Sequence, residues 1–195
     1  MFDYLVGKVV EIDDGRVVLE VNNIGYSIYL SFRDLSSIEV GKEYKVYLYR
    51  HLYENGDELY GFLDRDSRKV FLALMSVSSV GSKLAMKILS HFSPSEIVRA
   101  VIKGDTSVLS SVKGISEKTS ERIVAELKSS IHKLGIKVDE EKSNFDDIVK
   151  ALRSLGYNQN DILFAINTAK KSNPRLLYED ISTALHSCLA VLKNR

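Results

Sequence analysis

An internal repeat with an offset of 35 residues constrains the fold of this chain more than any other feature of its sequence. In each copy, apolar residues with helical spacing lead into a short turn, and a second amphipathic stretch begins at a basic residue after the turn. The repeat therefore predicts two αα-hairpins of the same shape, one after the other, in a helical region that begins near residue 65. The matched positions are Leu74 and Leu109, Val77 and Val112, Val80 and Ile115, Lys83 and Lys118, Lys87 and Arg122, and Ile88 and Ile123.

The two turns, residues 79–83 and 114–118, have a composition that suits phosphate binding. Glycine lets a ligand approach the backbone without meeting a Cβ atom. The helix that follows presents unpaired N–H groups and the positive end of its dipole, where anions bind. Val80 and Ile115 are expected to point inward and anchor the turns. The candidate phosphate contacts are Ser79, Gly81, Lys83, Gly114, Ser116 and Lys118, with Lys87 and Arg122 one turn further along the helices.

An αα-hairpin with a glycine turn is also a common element that binds nothing, so the distribution of charge matters. Residues 1–64 contain 6 Lys and Arg against 12 Asp and Glu, and residues 65–138 contain 13 against 6. The corresponding net charges are −6 and +7, although the whole chain has a formal net charge of only +1. Because both copies of the repeat lie in the basic segment, the pattern favours nucleic-acid binding through the backbone, without sequence specificity.

The first 64 residues predict a small β-barrel. Short runs of β-branched and aromatic residues alternate with Gly, Asp or Asn. About five such runs suit a closed barrel of the OB type, although an SH3-like barrel would give a similar pattern. The predicted strands cover residues 7–12, 16–21, 26–30, 44–49 and 58–62.

Helical periodicity governs the chain after residue 65. Pro94, between Ser93 and Ser95 and shortly before Glu96, predicts a helix start. Residues 133–144 lose the apolar pattern and become charged, which predicts a linker. Three further helices are expected at residues 145–155, ending at Gly156, at residues 160–171, starting at Asn160 or Asp161, and at residues 177–193.

Several classes of function have no support in the sequence. The only cysteine, Cys188, lies in an apolar run, so we interpret it as a core residue of a cytoplasmic protein rather than as a nucleophile. No apolar run approaches the roughly 18 residues of a membrane span. The histidines lack metal-ligand spacing, and there is no Gly-Lys-Ser/Thr loop of a motor ATPase. We therefore predict no cofactor, no bound metal and no membrane association.

Taken together, these features resemble the RuvA family of Holliday-junction-binding proteins over essentially the whole chain. The paired turns resemble tandem helix-hairpin-helix motifs, which glycosylases, nucleases and ligases also contain, and the order of the three parts makes the resemblance specific. The resemblance implies an α+β multidomain protein with four segments: an N-terminal OB-type barrel over 1–64, an all-α tandem helix-hairpin-helix domain over 65–132, a linker over 133–144 and a C-terminal three-helix domain over 145–195. The segments that carry it are residues 5–9, 24–26, 59–62, 80–85, 113–115, 118–122 and 152–157.

The resemblance implies a non-enzymatic binder of four-way DNA junctions that acts in recombination, repair and the SOS response. RuvA-like proteins form homotetramers that hold a junction open and nearly flat. They work with the hexameric RuvB ATPase in branch migration and with the RuvC resolvase. On this chain, Lys83, Lys118 and Arg122 would be the main side-chain contacts to the DNA arms and Lys87 the next. The near-neutral segment 145–195 would recruit the RuvB-type motor.

Two positions depart from the Gly-hydrophobic-Gly pattern of the family's hairpins. Ser79 replaces the first glycine of the first copy, and Ser116 replaces the second glycine of the second copy. If these positions require a positive φ, serine costs about 1 kcal/mol. If they require only a small side chain, serine is harmless and its hydroxyl can contact phosphate. The sequence leaves both possibilities open.

The family also carries an acidic pin at the junction centre, on a hairpin of the barrel. Asn55-Gly56 is a strong signal for a two-residue turn, which would place Glu54 and Asp57 on either side of the tip. Carboxylates repel phosphates and would keep the exchanging strands apart. Glu54, Asn55 and Asp57 are therefore the predicted pin, with Asp57 in place of the second of two adjacent acids.

Two other functions stay open. A glycosylase would need a catalytic Asp or Lys at a base pocket, and a nuclease would need clustered acidic ligands. Asp105 lies in a predicted loop and N-cap, and Asp64 and Asp66 lie beside basic residues. The other alternative is a protein-interaction scaffold for which DNA is incidental. DNA binding that does not respond to salt would favour the scaffold.

Overall fold

The computed structural model describes residues 3–13, 15–54, 56–138 and 143–193. The chain divides into two compact units, residues 1–138 and residues 139–195. The boundary between the units falls inside the segment that the sequence predicts as a linker. In the described part of the chain, no helix is both long enough and apolar enough to cross a membrane.

The first unit begins with a closed barrel, as predicted. Its strand order is β1-β2-β3-β5-β4, in which β3 and β5 are parallel and the other neighbours antiparallel. Strand β1 starts earlier than predicted because Tyr4 already pairs with Tyr47, and β4 ends later because it pairs with β5 as far as Tyr53. The described strands are β1 (Tyr4–Asp13), β2 (Arg16–Val21), β3 (Ile24–Tyr29), β4 (Glu43–Tyr53) and β5 (Gly56–Phe62).

Aliphatic side chains fill the barrel, because alternate residues of each strand point inward. Side chains of β3 and β4 leave no room for a side chain at Gly61 of β5. A Cβ atom built there would lie 2.6 Å from both Ile28 Cγ2 and Val46 Cγ1, which is closer than carbon atoms can pack. Gly61 therefore has to be glycine for steric reasons. The buried aliphatic residues of the strands include Val9, Val17, Leu19, Ile28, Val46 and Leu48.

A helical layer packs on the barrel and shares its hydrophobic core. Phe62 of the barrel contacts Phe71 of the helical layer with ring centroids 5.0 Å apart. The predicted helix start at Pro94 is confirmed, since Ser93 and Glu96 form a capping box around it. The helices of this layer are α1 (Phe32–Leu35), which connects β3 to β4, α2 (Arg65–Met75), α3 (Ser82–His91), α4 (Pro94–Lys103), α5 (Thr106–Ser110) and α6 (Glu117–Leu127).

The predicted linker over 133–144 does not begin as an extended segment. Residues Ile131–Leu134 form a 3-10 helix. Ile131 is buried in the core of the first unit, and the Lys69 amine donates a hydrogen bond to the Leu134 carbonyl at 3.1 Å. The first residues of the predicted linker therefore pack with the first unit. Residues 139–142 lie outside the described residues.

The second unit contains three α-helices in its described residues 143–193, as predicted for the C-terminal part. Gly156, with a φ of +89°, follows α7 in the left-handed conformation expected of a residue after a helix end. Helix α8 starts earlier than predicted because the Asn158 side chain caps it, and α9 starts later than residue 177 because a 3-10 turn (Leu176–Tyr178) comes first. The helices are α7 (Phe145–Ser154), α8 (Gln159–Ser172) and α9 (Ile181–Lys193).

Cys188 lies in the core of the second unit, as the sequence predicts. Its side chain is fully buried, and burial raises the pKa of the thiol to about 11. A thiol with so high a pKa stays protonated near neutral pH and is a poor nucleophile.

Candidate nucleic-acid interface

The 35-residue repeat corresponds to two hairpins whose turns have the same bounds. Hairpin 1 consists of α2 and α3, and hairpin 2 consists of α5 and α6. The helices before the two turns end at Met75 and Ser110, and the helices after them begin at Ser82 and Glu117, which are equivalent positions of the repeat. The buried pairs are Leu74 and Leu109, Val77 and Val112, Val80 and Ile115, Ala85 and Ser120, and Ile88 and Ile123.

Both turns are anchored by the same apolar position, as expected. Val80 and Ile115 are buried, and their backbone N–H groups donate to the carbonyls of Val77 and Val112 at 2.9 and 3.0 Å. The side chains fix each turn against the core, so the residues on either side of Val80 and Ile115 are held in place and are themselves exposed.

The first position of the turn differs between the hairpins. Gly114 has a φ of +96°, a conformation that residues with a Cβ atom rarely adopt. Ser79, its repeat partner, is not among the described residues with a positive φ, which apart from glycines are Asn22 and Asn23. The serine therefore causes no strain here, because hairpin 1 uses a different backbone conformation at this position.

The residue that caps the second helix of each hairpin differs as well. Ser116 has a φ of −77°, and its hydroxyl accepts a hydrogen bond from the Thr119 N–H at 3.1 Å. Gly81 has a φ of −91° and provides no side-chain cap, and a Cβ atom built on it would have no neighbour within 4 Å. Serine at position 116 is thus unstrained and satisfies a helix N–H, whereas the fold itself does not require glycine at position 81.

The predicted lysines occupy the same place in both hairpins. Lys83 and Lys118 are the second residues of α3 and α6, and both are exposed. The first turn of α3 contains no acidic residue, whereas that of α6 contains Glu117. Since positive charge and the helix dipole act together at this end, α3 presents the more positive terminus.

Lys87 and Arg122 connect the two hairpins in a reciprocal way. The Lys87 amine donates a hydrogen bond to the carbonyl of Lys113, at the start of the turn in hairpin 2. The Arg122 guanidinium donates to the hydroxyl of Ser78 in hairpin 1, at 3.5 Å. Lys87 is equivalent to Arg122 in the repeat, and Lys113 is equivalent to Ser78. We call these two contacts the cross-brace, because each hairpin helps to hold the turn of the other.

Hairpin 1 also rests on the barrel. Tyr60 of β5 is buried between them, with its hydroxyl 2.9 Å from Ser82 Oγ at the start of α3. The same hydroxyl donates to the Glu58 carboxylate at 2.6 Å. Burial, with the Glu58 carboxylate, raises the pKa of Tyr60 to about 12, so the phenol stays protonated. Residues 59–62 contribute to the family resemblance, but the sequence gives no indication that Tyr60 supports a turn.

The hairpin between β4 and β5 differs by one residue from the prediction. Tyr53 pairs with Gly56, so the connecting residues are 54 and 55 rather than 55 and 56. Gly56 lies in the strand, without a positive φ, and a Cβ atom there would approach Tyr53 Oη to 3.2 Å. The Tyr53 ring therefore lies against Gly56, its pairing partner on the neighbouring strand.

This register changes the surroundings of the predicted acidic pin. Glu54 is at the tip itself and is exposed, instead of lying beside the tip. Asp57 forms an ion pair with Arg50 at 2.6 Å, and both side chains are about half exposed. The predicted pin residue Asn55 lies outside the described residues. The charge of Asp57 is thus partly offset by a neighbouring cation, whereas Glu54 faces solvent.

The acidic residues considered for catalysis have structural partners. The Asp105 carboxylate caps α5, and its hydrogen bond with Ser107 lowers the pKa of the group. Asp64 caps α2 in the same way, and Asp66 pairs with Lys69. Within the ranges that the structure describes, no group of three or more His, Cys, Asp or Glu side chains could hold a metal ion.

Comparison with known proteins agrees with this architecture. Residues 1–61 match the family described as RuvA N terminal domain, and residues 71–129 match the SAM-like helix-hairpin-helix tandem. Proteins named Holliday junction branch migration complex subunit RuvA are 37% identical in Fusobacterium nucleatum (83% of this chain, 84% of the relative) and 32% identical in Bifidobacterium longum (98% of both). The protein of that name in Christiangramia forsetii is 34% identical over 93% of this chain and 96% of its own length. The chain therefore belongs to the RuvA family.

Proposed function

We propose that this protein binds four-way DNA junctions without catalysing a reaction on them and brings a RuvB-type hexameric ATPase to the junction for branch migration. The observation that carries the proposal is the pair of repeated hairpins, which present two exposed lysines at two helix N-termini and are held together by the cross-brace. The name shared by the relatives, which describes a subunit of a Holliday junction branch migration complex, supports the choice of DNA.

Within this proposal, each hairpin holds one stretch of DNA backbone. Lys83, Lys118 and Arg122 supply positive charge, and the backbone around Gly81 and Gly114 accepts the close approach of a phosphate. Ser79 and Ser116 contribute small side chains beside it. Lys87, the remaining candidate, has the Lys113 carbonyl as a partner. We therefore assign Lys87 a positioning role through the cross-brace.

The test of junction binding is a gel-shift competition. A labelled immobile four-way junction is challenged with linear duplex of the same arm sequences, at moderate salt, with and without Mg²⁺. We expect the junction to be preferred by orders of magnitude and to stay intact in Mg²⁺. Equal affinity for both DNAs would reduce the protein to a general duplex binder, and cleavage of the junction would show a nuclease.

The proposal includes the acidic pin. Four copies of Glu54 around a symmetry axis would place negative charge where the strands exchange, and the Arg50–Asp57 pair would hold the base of this hairpin. In Glu54→Gln combined with Asp57→Asn, we expect unchanged or tighter junction binding and an altered branch-migration rate, measured with the motor present. Normal migration kinetics together with normal binding would rule out the pin.

The remaining parts of the proposal concern partners and organisation. We propose a homotetramer that works in the cytoplasm, with a RuvC-type resolvase as a further partner, and a chain divided at residues 64, 132 and 144. The second unit, whose most exposed large apolar residue is Leu155, would bind the motor. Leu155→Asp should leave junction affinity unchanged and reduce junction-stimulated ATP hydrolysis by the motor. Full stimulation would place the motor contact elsewhere.

A further inference from the structure

A cleft of about 480 Å³ lies in the first unit between the barrel and the start of α3. Its barrel side is formed by the β1–β2 connection and the ends of β3 and β5, and its helical side by hairpin 1. The residues around it that carry the argument are Asp13, Arg16, Tyr29, Tyr60, Lys83 and Met86. The cleft thus adjoins the helix terminus already described, and it contains a second cation that comes from a different part of the chain.

Arg16 is held in a defined position in this cleft. Its guanidinium carbon lies 4.3 Å from the centroid of the Tyr29 ring, and the guanidinium donates a hydrogen bond to the Tyr29 hydroxyl. Tyr29 in turn stacks on Tyr60, with centroids 5.4 Å apart and an angle of 23° between the rings. A guanidinium has several N–H donors in a fixed plane. The contact with the Tyr29 ring and the hydrogen bond to its hydroxyl therefore hold the guanidinium in place before a ligand arrives.

The same stack of rings connects Arg16 to hairpin 1. Tyr60 meets Ser82 at the first position of α3, and the next residue, Lys83, lines the cleft. Arg16 and Lys83 therefore border one space from opposite walls, and the N-terminus of a ten-residue helix opens beside them. Asp13 also lines the cleft, and the Glu58 carboxylate accepts a hydrogen bond from the lining residue Tyr60, so these two acidic groups offset part of the positive charge.

The cleft belongs to hairpin 1, because its lining residues come from the barrel and from α3 and include none of α5 or α6. The repeat thus accounts for two similar turns, and the packing on the barrel adds the cation Arg16 beside the turn of hairpin 1. This extra cation is not apparent from the charge pattern, because Arg16 belongs to the acidic segment over 1–64.

We propose that the cleft binds a second backbone phosphate, next to the one held at the start of α3, with Arg16 as its side-chain contact. The ligand is the phosphodiester backbone of the DNA arm bound by hairpin 1. This inference rests on the proposed function, because it assumes that hairpin 1 holds a DNA arm. It adds a cation from the barrel, so that the barrel and hairpin 1 together hold consecutive phosphates of one strand.

The experiment replaces one phosphate at a time by an uncharged methylphosphonate. The substitution is placed at the same position in all four arms of an immobile junction and, separately, in a linear duplex. Binding of the wild-type protein is compared with that of Arg16→Gln, Lys83→Gln and Lys42→Gln. Lys42 is an exposed barrel cation that does not line the cleft, so it serves as the matched control.

We expect a methylphosphonate at either of two neighbouring phosphates to weaken DNA binding by the wild-type protein. For Arg16→Gln, the methylphosphonate at one of these two phosphates should no longer weaken binding, and for Lys83→Gln the one at the adjacent phosphate should no longer do so. Lys42→Gln should lose affinity at both positions, as the wild type does. In Arg16→Gln, the slope of log affinity against log salt should fall in magnitude by about 0.9 for each phosphate that is no longer neutralised. Arg16→Lys, which keeps the charge, should keep the sensitivity. Thermal unfolding of each variant checks that removing the interaction of Arg16 with Tyr29 has not unfolded the barrel.

Other outcomes would overturn the inference. If the same methylphosphonate positions weaken binding of Arg16→Gln as of the wild type, and the salt dependence of its affinity is also unchanged, Arg16 binds no DNA phosphate. If inorganic phosphate inhibits wild-type binding more than it inhibits Arg16→Gln while the pattern is unchanged, the cleft takes free phosphate instead of DNA. Failure of the proposed function is a separate result: the wild-type protein would then show no preference for the junction, whatever the duplex pattern shows about Arg16.

Discussion

Hairpin 1 and hairpin 2 share one buried scaffold and differ at the atoms that face solvent. Their core positions match pair by pair along the repeat, and Val80 and Ile115 anchor the two turns in the same way. The helix of hairpin 2 begins with a serine cap and a glutamate, whereas that of hairpin 1 begins with an uncapped glycine and no acidic residue. The repeat therefore preserves the buried anchor of each turn and allows the backbone at the first turn position and the helix cap to vary.

The difference suggests a division of work between the hairpins. Hairpin 1 leaves the N–H groups of α3 without a side-chain cap at Gly81 and rests on the barrel through Tyr60. Hairpin 2 satisfies one N–H of α6 internally through Ser116. We expect hairpin 1 to be the stronger phosphate site, and hairpin 2 to orient the DNA at a distance fixed by the cross-brace.

The largest effect is expected from removing the anchors. Ile115→Ala should lower the free energy of unfolding by about 2–5 kcal/mol, and Val80→Ala, which removes fewer atoms, by about 2 kcal/mol. Urea unfolding followed by circular dichroism measures both changes. Val40→Ala, at a position 59% exposed, is the control and should change little. A negligible cost at either anchor would mean that its turn is not packed as described.

The next largest effect is expected at the first turn position, where the backbone conformations of the two hairpins differ. Gly114→Ala should cost about 1–2 kcal/mol, because alanine is strained at a φ of +96°. The nearest atom to the new Cβ would be Lys87 Nζ at 3.5 Å, an ordinary van der Waals distance, so the cost would come from the backbone conformation. Ser79→Ala, at the equivalent position, should change stability by less than about 0.5 kcal/mol. Equal costs would mean that both turns have the same conformation.

A smaller effect tests the cross-brace. Lys87→Met keeps most of the aliphatic stem and removes the hydrogen bond to the Lys113 carbonyl, which is worth about 1 kcal/mol. The turn of hairpin 2 should therefore be held less firmly, and junction affinity should fall by at most about fivefold, the factor that corresponds to the whole of this free energy. The slope of log affinity against log salt should stay unchanged, since Lys87 acts on hairpin 2 rather than on a phosphate. A slope that falls by about 0.9 would identify Lys87 as a direct phosphate ligand.

The smallest effect is expected when the helix caps of the two hairpins are exchanged. Gly81→Ser should raise the free energy of unfolding by a few tenths of a kcal/mol, and Ser116→Gly should lower it by a similar amount. Junction binding should change in the opposite direction, about twofold weaker for Gly81→Ser, because the new cap competes with phosphate for the same N–H groups. Differential scanning calorimetry and binding titrations measure the two properties. Unchanged binding in both variants would show that the caps do not distinguish the hairpins.

The parts of this fold that follow from local pattern are predictable from the sequence. Short β-branched and aromatic runs between Gly, Asp or Asn predict the barrel strands, the repeat predicts both hairpins with their inward anchors, and Ser93 and Pro94 predict the start of α4. The local pattern places the hairpin between β4 and β5 one residue out of register. The Asn-Gly signal at positions 55 and 56 is local, whereas the observed register brings together residues of two strands, Tyr53 with Gly56 and Arg50 with Asp57.

The parts of the candidate site that depend on tertiary structure could not be predicted. Lysines after the turns are visible in the sequence, but the cross-brace joins residues that are 26 and 44 positions apart. Arg16 lies beside the start of α3 because the barrel packs against that helix, where Tyr60 contacts Ser82. The effect of serine in the turns also required the backbone, since φ at positions 79 and 116 decides whether a Cβ atom is strained.

The central claim is that both hairpins bind DNA phosphates through Lys83 and Lys118. The most direct test is the salt dependence of junction binding for wild type, Lys83→Gln, Lys118→Gln and the double variant. Lys128→Gln, at the opposite end of α6, is the control. We predict that each single variant reduces the magnitude of the negative slope of log affinity against log salt by about 0.9 per chain. The double variant should reduce it by about twice that, and the control should leave it unchanged. A slope that is the same in all five proteins would contradict the claim.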